Sequence, residues 1–379
     1  MIINKAYEFR LYPNKKQKEM FAKTFGSARF VYNHFLNLWN KEYEETKKGL
    51  SYSKCSAILP KLKSEDATSF LKEVDSIALQ SSLRDLANAF SRFFKKQNNK
   101  PVFKSKLNNI QSYKTKNTNN NLYIRGNYIK LPKVGFVKLK NSHNFDSKII
   151  NVTIKLDSSG HYYASALVEE KVNPFPLTKS NVGIDIGLDD FVVLSDGTKY
   201  QNIIVPEDLR NKLTREQKRL SRMSEGAKAR GVKLIDSKNY QKQKKKVARI
   251  YKKIRNIVSD YTNKLSTELI KNHDLLCIES LNVEHMLKNK YLSKSISEAS
   301  ISNFMRKLEY KARWYGKKLV KVDTYYPSTQ TCSSCGHVDG KKALHIRSWK
   351  CSKCNASLDR DINASINILN EGLRILSQT

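Results

Sequence analysis

Four cysteines in two close pairs, Cys332 with Cys335 and Cys351 with Cys354, constrain this chain more tightly than any other stretch of it. Each pair is C-x2-C, and the fifteen residues between them in TCSSCGHVDGKKALHIRSWKCSKC give the spacing of a zinc ribbon, not of a disulfide framework. Four thiolates close a tetrahedral site with Zn–S bonds of about 2.3 Å and leave no position open to substrate, so one Zn²⁺ here is expected to be structural. The segment has too few large apolar residues to fold alone, and the metal must supply much of its stability. His337 and His345 are alternative ligands by type, but four cysteines suffice. Cys55 and Cys277 have no comparable partner in sequence, a usage that fits a reducing compartment.

A chain of 379 residues exceeds one hydrophobic core and predicts roughly two to three domains. Its 70 Lys and Arg against 35 Asp and Glu leave a formal net charge of +35. That excess predicts a nucleic-acid partner bound through its phosphates. In MIINKAYEFRLYP charges interrupt any signal-peptide core, and no later run stays apolar for the length of a membrane span. The expectation is a cytoplasmic protein without a membrane partner, nucleoid-associated when bound to DNA.

AYEFRLYP alternates like a strand, and Asn14 with Gln17 forms a capping-box signal for a helix. Met20, Phe21, Phe25, Ala28, Val31, Tyr32, Phe35, Leu38 and Trp39 then recur at helical spacing, with a break or bend expected at Gly26. With Ile77, Leu79, Leu83, Leu86, Phe90 and Phe94 this makes residues 14–98 a helical domain whose aromatics are core. Residues 97–121 mix Lys and Asn with few apolar side chains, the composition of a basic loop or edge strand that meets a phosphate backbone. Alternating runs from 122 to 170, with a turn at 157–160, predict antiparallel strands of a barrel or sheet, and Pro174 and Pro176 mark a linker.

Beyond the linker the pattern reads strand, turn, strand, Asp-Gly turn and strand, followed by a long helical region. That region carries 18 basic residues against four acidic between 209 and 260. Val247, Ile250, Ile254, Ile257, Tyr261, Leu265 and Leu269 share one face of it, leaving the other positive. A buried strand LLCIESL, helical sequence to about Gly316, the strand KKLVKVD, the ribbon and a last helix from about Leu358 complete the chain.

Three acids matter more together than singly. In VGIDIG, alternation puts Val182, Ile184 and Ile186 on one face and Asp185 between Gly183 and Gly187 on the other, leaving room for a ligand or a nucleic-acid backbone. Glu279 interrupts an apolar strand, which is costly unless a cation or hydrogen-bond partner compensates it. Asp361 lies in the first turn of the last helix, while Asp359 is its expected N-cap. Singly each has a structural explanation. Together a strand Asp, a later strand Glu and a helix-start Asp are what a two-metal phosphodiesterase needs, with shared carboxylates holding two Mg²⁺ ions about 4 Å apart. The element order is that of a ribonuclease-H-like domain.

The segments YEFRLYPNKKQ, PVFKSK, VGIDIGLDDFVVLSDG, CIESLNV, YYPSTQTCSSCG, RSWKCSKC and LDRDINASINIL run from end to end of the chain. In that order it resembles the TnpB (OrfB-type) RNA-guided nucleases of bacterial and archaeal insertion sequences, which are similar to compact type V CRISPR effectors. The resemblance implies a multi-domain α/β protein with a RuvC nuclease domain and an inserted zinc ribbon. Its boundaries would be 1–13 as the first strand of a wedge-like antiparallel β-barrel, 14–98 as a helical recognition domain, 99–176 as the rest of the barrel, 177–325 as RuvC, 326–357 as the ribbon and 358–379 as the final RuvC helix.

It implies Asp185, Glu279 and Asp361 as catalytic Mg²⁺ ligands and a guide RNA from the transposon end. It also implies double-stranded target DNA cut beside a short flanking motif, by a monomer with RNA. Candidate nucleic-acid contacts are Lys104, Lys106, Lys242, Lys244, Lys245, Lys246 and Arg249. Asp189 and Asp190 depart from the pattern and either face solvent or tune the site. Two other readings stay open: a nuclease-inactive RNA-guided regulator and a guide-free structure-specific nuclease.

Overall fold

Alternating side chains make Ile2–Tyr12 the strand β1, and Asn14 ends it by capping α1, Lys15–Thr46. The cap is reciprocal: the Gln17 backbone N–H donates to Asn14 Oδ1 at 2.9 Å and the Asn14 N–H to Gln17 Oε1 at 3.0 Å. The computed structural model describes residues 1–108, 110–141, 147–282, 300–343 and 345–378. Two units divide the chain, Ile2–Lys171 and Val172–Thr379 with Met1.

In the first unit α1 is followed by α2 (Tyr52–Ser64), a 3-10 turn (Asp66–Lys72) and α3 (Ser76–Phe94). Next come β2 (Gln111–Lys116), β3 (Tyr123–Arg125), β4 (Tyr128–Leu131), β5 (Gly135–Leu139), β6 (Ile149–Leu156) and β7 (Tyr162–Lys171). The strands form one seven-stranded antiparallel sheet in the order β2-β6-β7-β1-β5-β4-β3, so β2, from the Lys- and Asn-rich stretch, is an edge strand. At the turn between β6 and β7 the Gly160 N–H donates to the Asp157 carbonyl at 2.9 Å, with Gly160 at φ +80.

Gly26 does not interrupt α1, against expectation: a Cβ there would meet nothing within 4 Å, and one helix runs through it. The aromatics of α1 are core, but of two cores. Phe21, Phe25 and Ala28 pack with sheet residues such as Ile129 and Val152, whereas Val31, Phe35 and Trp39 pack with Leu59, Leu83 and Phe90 of the other helices. Helices and sheet therefore share one unit, Ile2–Lys171.

The second unit holds β8 (Asn181–Asp185), β9 (Asp190–Leu194), β10 (Lys199–Gln201), α4 (Glu207–Ala229), α5 (Lys238–Asn272) and β11 (Leu275–Glu279). After these come α6 (Ile301–Tyr315), β12 (Lys318–Val322), β13 (Ser348–Lys350), β14 (Ser357–Asp359) and α7 (Arg360–Ser377). The helical expectation between Leu281 and Gly316 falls partly on residues 283–299, outside the described residues. The five-stranded sheet runs β10-β9-β8-β11-β12; β10, β9 and β8 are antiparallel, and β8, β11 and β12 parallel.

Strand alternation gives this sheet two differently covered faces. Val182, Ile184, Leu276 and Ile278 pack under Leu265 and Leu269 of α5 and Phe304 and Leu308 of α6. Leu275 and Cys277 face Ile368 and Leu369 of α7. Cys277 thereby finds its place in a core: Gly372 of α7 lies so close that a Cβ there would stand 2.2 Å from Cys277 Sγ. No helix among the described residues is long and apolar enough to cross a membrane.

Candidate active site and metal centre

Asp185 ends β8 and Glu279 ends β11, so both acids stand at the carboxyl edge of adjacent parallel strands, where open α/β sheets place their ligands. The ladder pairs Cys277 with Gly183 and Ile278 with Ile184, and one further step sets Glu279 beside Asp185. Both lie in alternation with residues on the α7 face. Asp361 joins them as the second residue of α7. Asp359 caps that helix by accepting from the Asp361 and Ile362 N–H groups, each at 3.0 Å, and its other oxygen takes Lys199 Nζ at 2.7 Å.

Glycine brings the helix and strand together. A Cβ on Gly183 would stand 1.9 Å from the Ser365 carbonyl oxygen and 2.8 Å from the Leu369 nitrogen. What approaches Gly183 is therefore the backbone of α7, not a ligand, and that contact sets the height of Asp361 above Asp185. Gly187 has a different use, since a Cβ there would meet the Asp190 carbonyl at 2.7 Å across the β8–β9 turn.

Asp185 feels the negative charges of Glu279 and Asp361, with two arginines beside them, Arg360 and the Arg347 that pairs with Asp361. Burial, then the charges of Asp361 and Glu279, push the Asp185 carboxyl up to about 7, against a smaller opposing pull from Arg360. Burial alone pushes Glu279 up to about 7. The three carboxylates are not drawn as tightly together as the four cysteines below; a divalent cation is the kind of charge that would relieve their repulsion.

Arg347, which the sequence reading passed over, completes the site. Its Nη1 lies 3.3 Å from Asp361 Oδ2, its Nη2 pairs with Asp189, and its carbonyl accepts the Arg360 N–H at 2.8 Å. Asp189 is thus tied to the ribbon, while Asp190 opens β9 opposite Gln201. The one available signal was position: Arg347 immediately precedes a strand that pairs with the run into Asp361.

That pairing explains why the ribbon leads directly into an acid. β13 pairs antiparallel with β14, Ser348 opposite Asp359, and β14 passes without a linker into α7. Asn363 and Asn367, one helical turn apart and buried, hold the other end of the ribbon. Asn363 Nδ2 donates to the Thr331 carbonyl at 2.8 Å and Asn367 Nδ2 to the same carbonyl at 2.7 Å, while the Ser333 N–H donates to Asn363 Oδ1 at 2.8 Å. These asparagines were also missed; an i, i+4 polar pair on the buried face of an amphipathic helix was their signature.

Cys332, Cys335, Cys351 and Cys354 place their sulfurs within 4.8 Å of one another, the one such cluster among the described residues. Cys332–Cys354 and Cys335–Cys351 are each 3.7 Å apart. A tetrahedron with 2.3 Å bonds has edges of about 3.8 Å, so the cysteines fit Zn²⁺. His337 and His345 are not in the cluster. The two knuckles are alike: Gly336 N–H donates to the Cys332 carbonyl and Asn355 N–H to the Cys351 carbonyl, with φ +73 and +59 at the donors. Trp349 fills the small core between them, with Lys342 Nζ 3.6 Å from its ring centroid.

The remaining basic candidates fall in both units, five of them on α5. Lys242, Lys245, Lys246 and Arg249 are exposed on α5 and Lys244 is half-buried. Lys246 is committed to Glu216 of α4 at 2.8 Å, which Gln243 also reaches at 2.8 Å. In the first unit Lys104 Nζ stands 3.8 Å over the Tyr32 ring and Lys106 is exposed.

The fold and the pairing of a carboxylate cluster with a four-cysteine ribbon define an α/β protein built like the compact type V effectors. The Cas12f1 chain in the "Cryo-EM structure of the Cas12f1-sgRNA-target DNA complex" superposes with a TM-score of 0.57 at 15% identity, over 97% of this chain and 99% of that one. The "Cas12f1-like, TNB domain" model matches residues 302–368, the "Probable transposase" model of OrfB_IS605 matches 165–290, and the "Helix-turn-helix domain" model of OrfB_IS605 matches 1–48. Over that last range the structure has a strand and one continuous helix.

A "Putative RNA-guided DNA endonuclease" of Streptomyces pristinaespiralis is 34% identical over 98% of this chain and 90% of its own. The "Putative RNA-guided DNA endonuclease InsQ" of Escherichia coli (strain K12) is 32% identical over 98% and 93%. The chain belongs to the TnpB (OrfB) family of insertion-sequence proteins.

Proposed function

We propose that this chain is an RNA-guided, divalent-metal-dependent DNA endonuclease of an insertion sequence, cutting double-stranded DNA beside a short flanking motif. What supports the reading is that Asp185 ends β8, Glu279 ends the neighbouring parallel strand β11 and Asp361 opens α7, near enough for the charges of Asp361 and Glu279 to act on Asp185. The full-length relatives named as RNA-guided DNA endonucleases and the net charge of +35 support it.

On this reading residues 177–325 with 358–379 are a RuvC nuclease domain, 326–357 a zinc ribbon inserted in it, 1–13 with 99–176 a wedge-like barrel and 14–98 a recognition domain. The guide RNA comes from the transposon end, and the working particle is a cytoplasmic monomer with its RNA.

Asp185, Glu279 and Asp361 are the residues that would hold two Mg²⁺ ions. When bound, these supply Lewis acidity to the phosphodiester and lower the pKa of water for its attack. The chain does the rest. Burial at the strand ends keeps Asp185 and Glu279 out of bulk water and so strengthens their hold on cations. The close seat of α7 on Gly183 fixes Asp361 relative to Asp185. Arg347 offers its planar fork to the phosphate as that charge enters, in exchange for its contacts with Asp361 and Asp189. The four cysteines would hold one Zn²⁺, and the ribbon they close carries Arg347 and leads into the start of α7.

The test is to express the protein with its native flanking DNA, purify it and sequence the RNA that accompanies it. That RNA is then used to direct cutting of a matched duplex. One discrete RNA and guided, Mg²⁺-dependent cleavage are expected. Heterogeneous RNA with guide-independent cutting would replace the reading with a structure-specific nuclease, and guided binding without cutting would replace it with a regulator.

A further inference from the structure

Among the described residues Tyr325 is the most exposed large hydrophobic side chain, at 91%. Its neighbour Tyr326 packs into the core between the sheet and α7, so the segment is not simply excluded from burial. Nor is its backbone loose. The Tyr325 N–H donates to Asp323 Oδ1 at 2.8 Å, the Tyr326 N–H to the Asp323 carbonyl at 3.1 Å and the Ser328 N–H to the Tyr326 carbonyl at 2.8 Å. The Thr324 hydroxyl donates to the Ser280 carbonyl, fastening the turn to the residue after Glu279. A pinned turn therefore presents a bare aromatic ring.

Its place in the fold gives that ring a use. β12 pairs in parallel with β11, Val322 opposite Glu279, and the Ser280 N–H donates to the Val322 carbonyl at 2.9 Å. Tyr325 follows Val322 by three residues, a chain length of at most about 10 Å. It stands off the same carboxyl edge at which the acids converge. A strand whose phosphate enters a carboxylate site must leave the duplex locally, and its unstacked bases lose their neighbours. A fixed, exposed aromatic ring replaces a lost base neighbour without regard to sequence.

We infer that Tyr325 is a stacking platform for an unpaired nucleobase of the DNA strand being cut, and so a positioning residue for the scissile phosphate. The inference rests on the endonuclease reading above. It involves no covalent step; one ring face is covered by the base and released with product.

The test uses the whole chain with its copurified guide RNA and compares Tyr325→Ala and Tyr325→Phe with the unaltered protein. The substrates are matched duplexes, intact or carrying a single abasic nucleotide stepped through the cut site. Tyr325→Ala should raise KM about five- to a hundredfold, the range of one lost base–aromatic stack. Guide affinity should stay unchanged, and Tyr325→Phe should behave as the parent. At one abasic position the parent should fall to the level of Tyr325→Ala, and the variant should lose nothing more. Equal KM for Tyr325→Ala and the parent overturns the inference, as does an equal loss in Tyr325→Phe or additive losses at every abasic position. If the parent complex cuts no matched duplex, the endonuclease reading fails and the platform falls with it.

Discussion

The guanidinium of Arg347 reaches from the four-cysteine segment to Asp361, with Nη1 3.3 Å from Oδ2, so that segment touches the carboxylate at the start of α7. A structural metal fold and a candidate catalytic acid are thus one mechanical unit.

Arg347→Ala should slow guided cleavage by about 10²- to 10³-fold, the usual cost of removing one preorganised donor to a developing charge. Arg347→Lys should recover only part of the rate, because an ammonium lacks the planar fork. Single-turnover cleavage, with zinc content measured alongside, checks both; an unchanged rate in Arg347→Ala would remove the residue from the site.

Asp185→Ala, Glu279→Ala and Asp361→Ala should each abolish cutting while guide binding persists, since a carboxylate offers RNA phosphates no attraction to lose. Gel-shift and cleavage assays on the same preparations separate the two effects. Full cutting by any one variant would sink the assignment of that acid.

Native mass spectrometry should find one zinc per chain, lost when a strong chelator is applied. Mg²⁺ alone should not restore cleavage afterwards, because the freed knuckles no longer hold Arg347 and the start of α7. Complete rescue by Mg²⁺ would show the ribbon to be dispensable.

Stability of the metal-free protein should fall as pH rises from about 4 to about 7. Asp185 and Glu279 are pushed up to about 7 when folded, against about 4 when unfolded. Between those values the folded state holds more protons, and the slope of unfolding free energy with pH is negative. Mg²⁺ should therefore raise the melting temperature more at pH 7.5 than at pH 5, values chosen about half a unit above and two units below the folded pKa. Melting curves with and without Mg²⁺ decide it; an equal shift at both pH values would place the ions elsewhere.

Two glycines should respond in opposite directions to alanine. Gly183→Ala puts a Cβ 1.9 Å from the Ser365 carbonyl, a backbone atom, and should cost at least about 1–3 kcal/mol. Gly26→Ala meets nothing within 4 Å inside α1, and should gain up to about 1 kcal/mol of helix stability. Denaturant unfolding of both variants measures the contrast; a neutral Gly183→Ala would contradict the close seat of α7 on β8.

Much of this molecule is local and was readable before any tertiary structure. Strand alternation alone separates Ile184 from Asp185, and a capping side chain needs only its own next turn, so Asn14 and Asp359 could be named as caps. The cysteine spacing likewise announces a ribbon, since metal chemistry fixes the ligand set. Even the three acids could be nominated, because a strand Asp between glycines, an acid in an apolar strand and an Asp at a helix start together make a metal-binding set.

What the sequence could not decide is which elements meet. That β11 inserts beside β8, that α7 lies on Gly183 and Gly372, and that Arg347 of the ribbon lands on Asp361 are long-range contacts. They are chosen by burial and packing over the whole chain, not by any local preference. For the same reason Gly26 misled: its missing side chain permits a break in a helix, but Phe21, Phe25 and Ala28 enter one core and Val31, Phe35 and Trp39 the next, and one helix runs through.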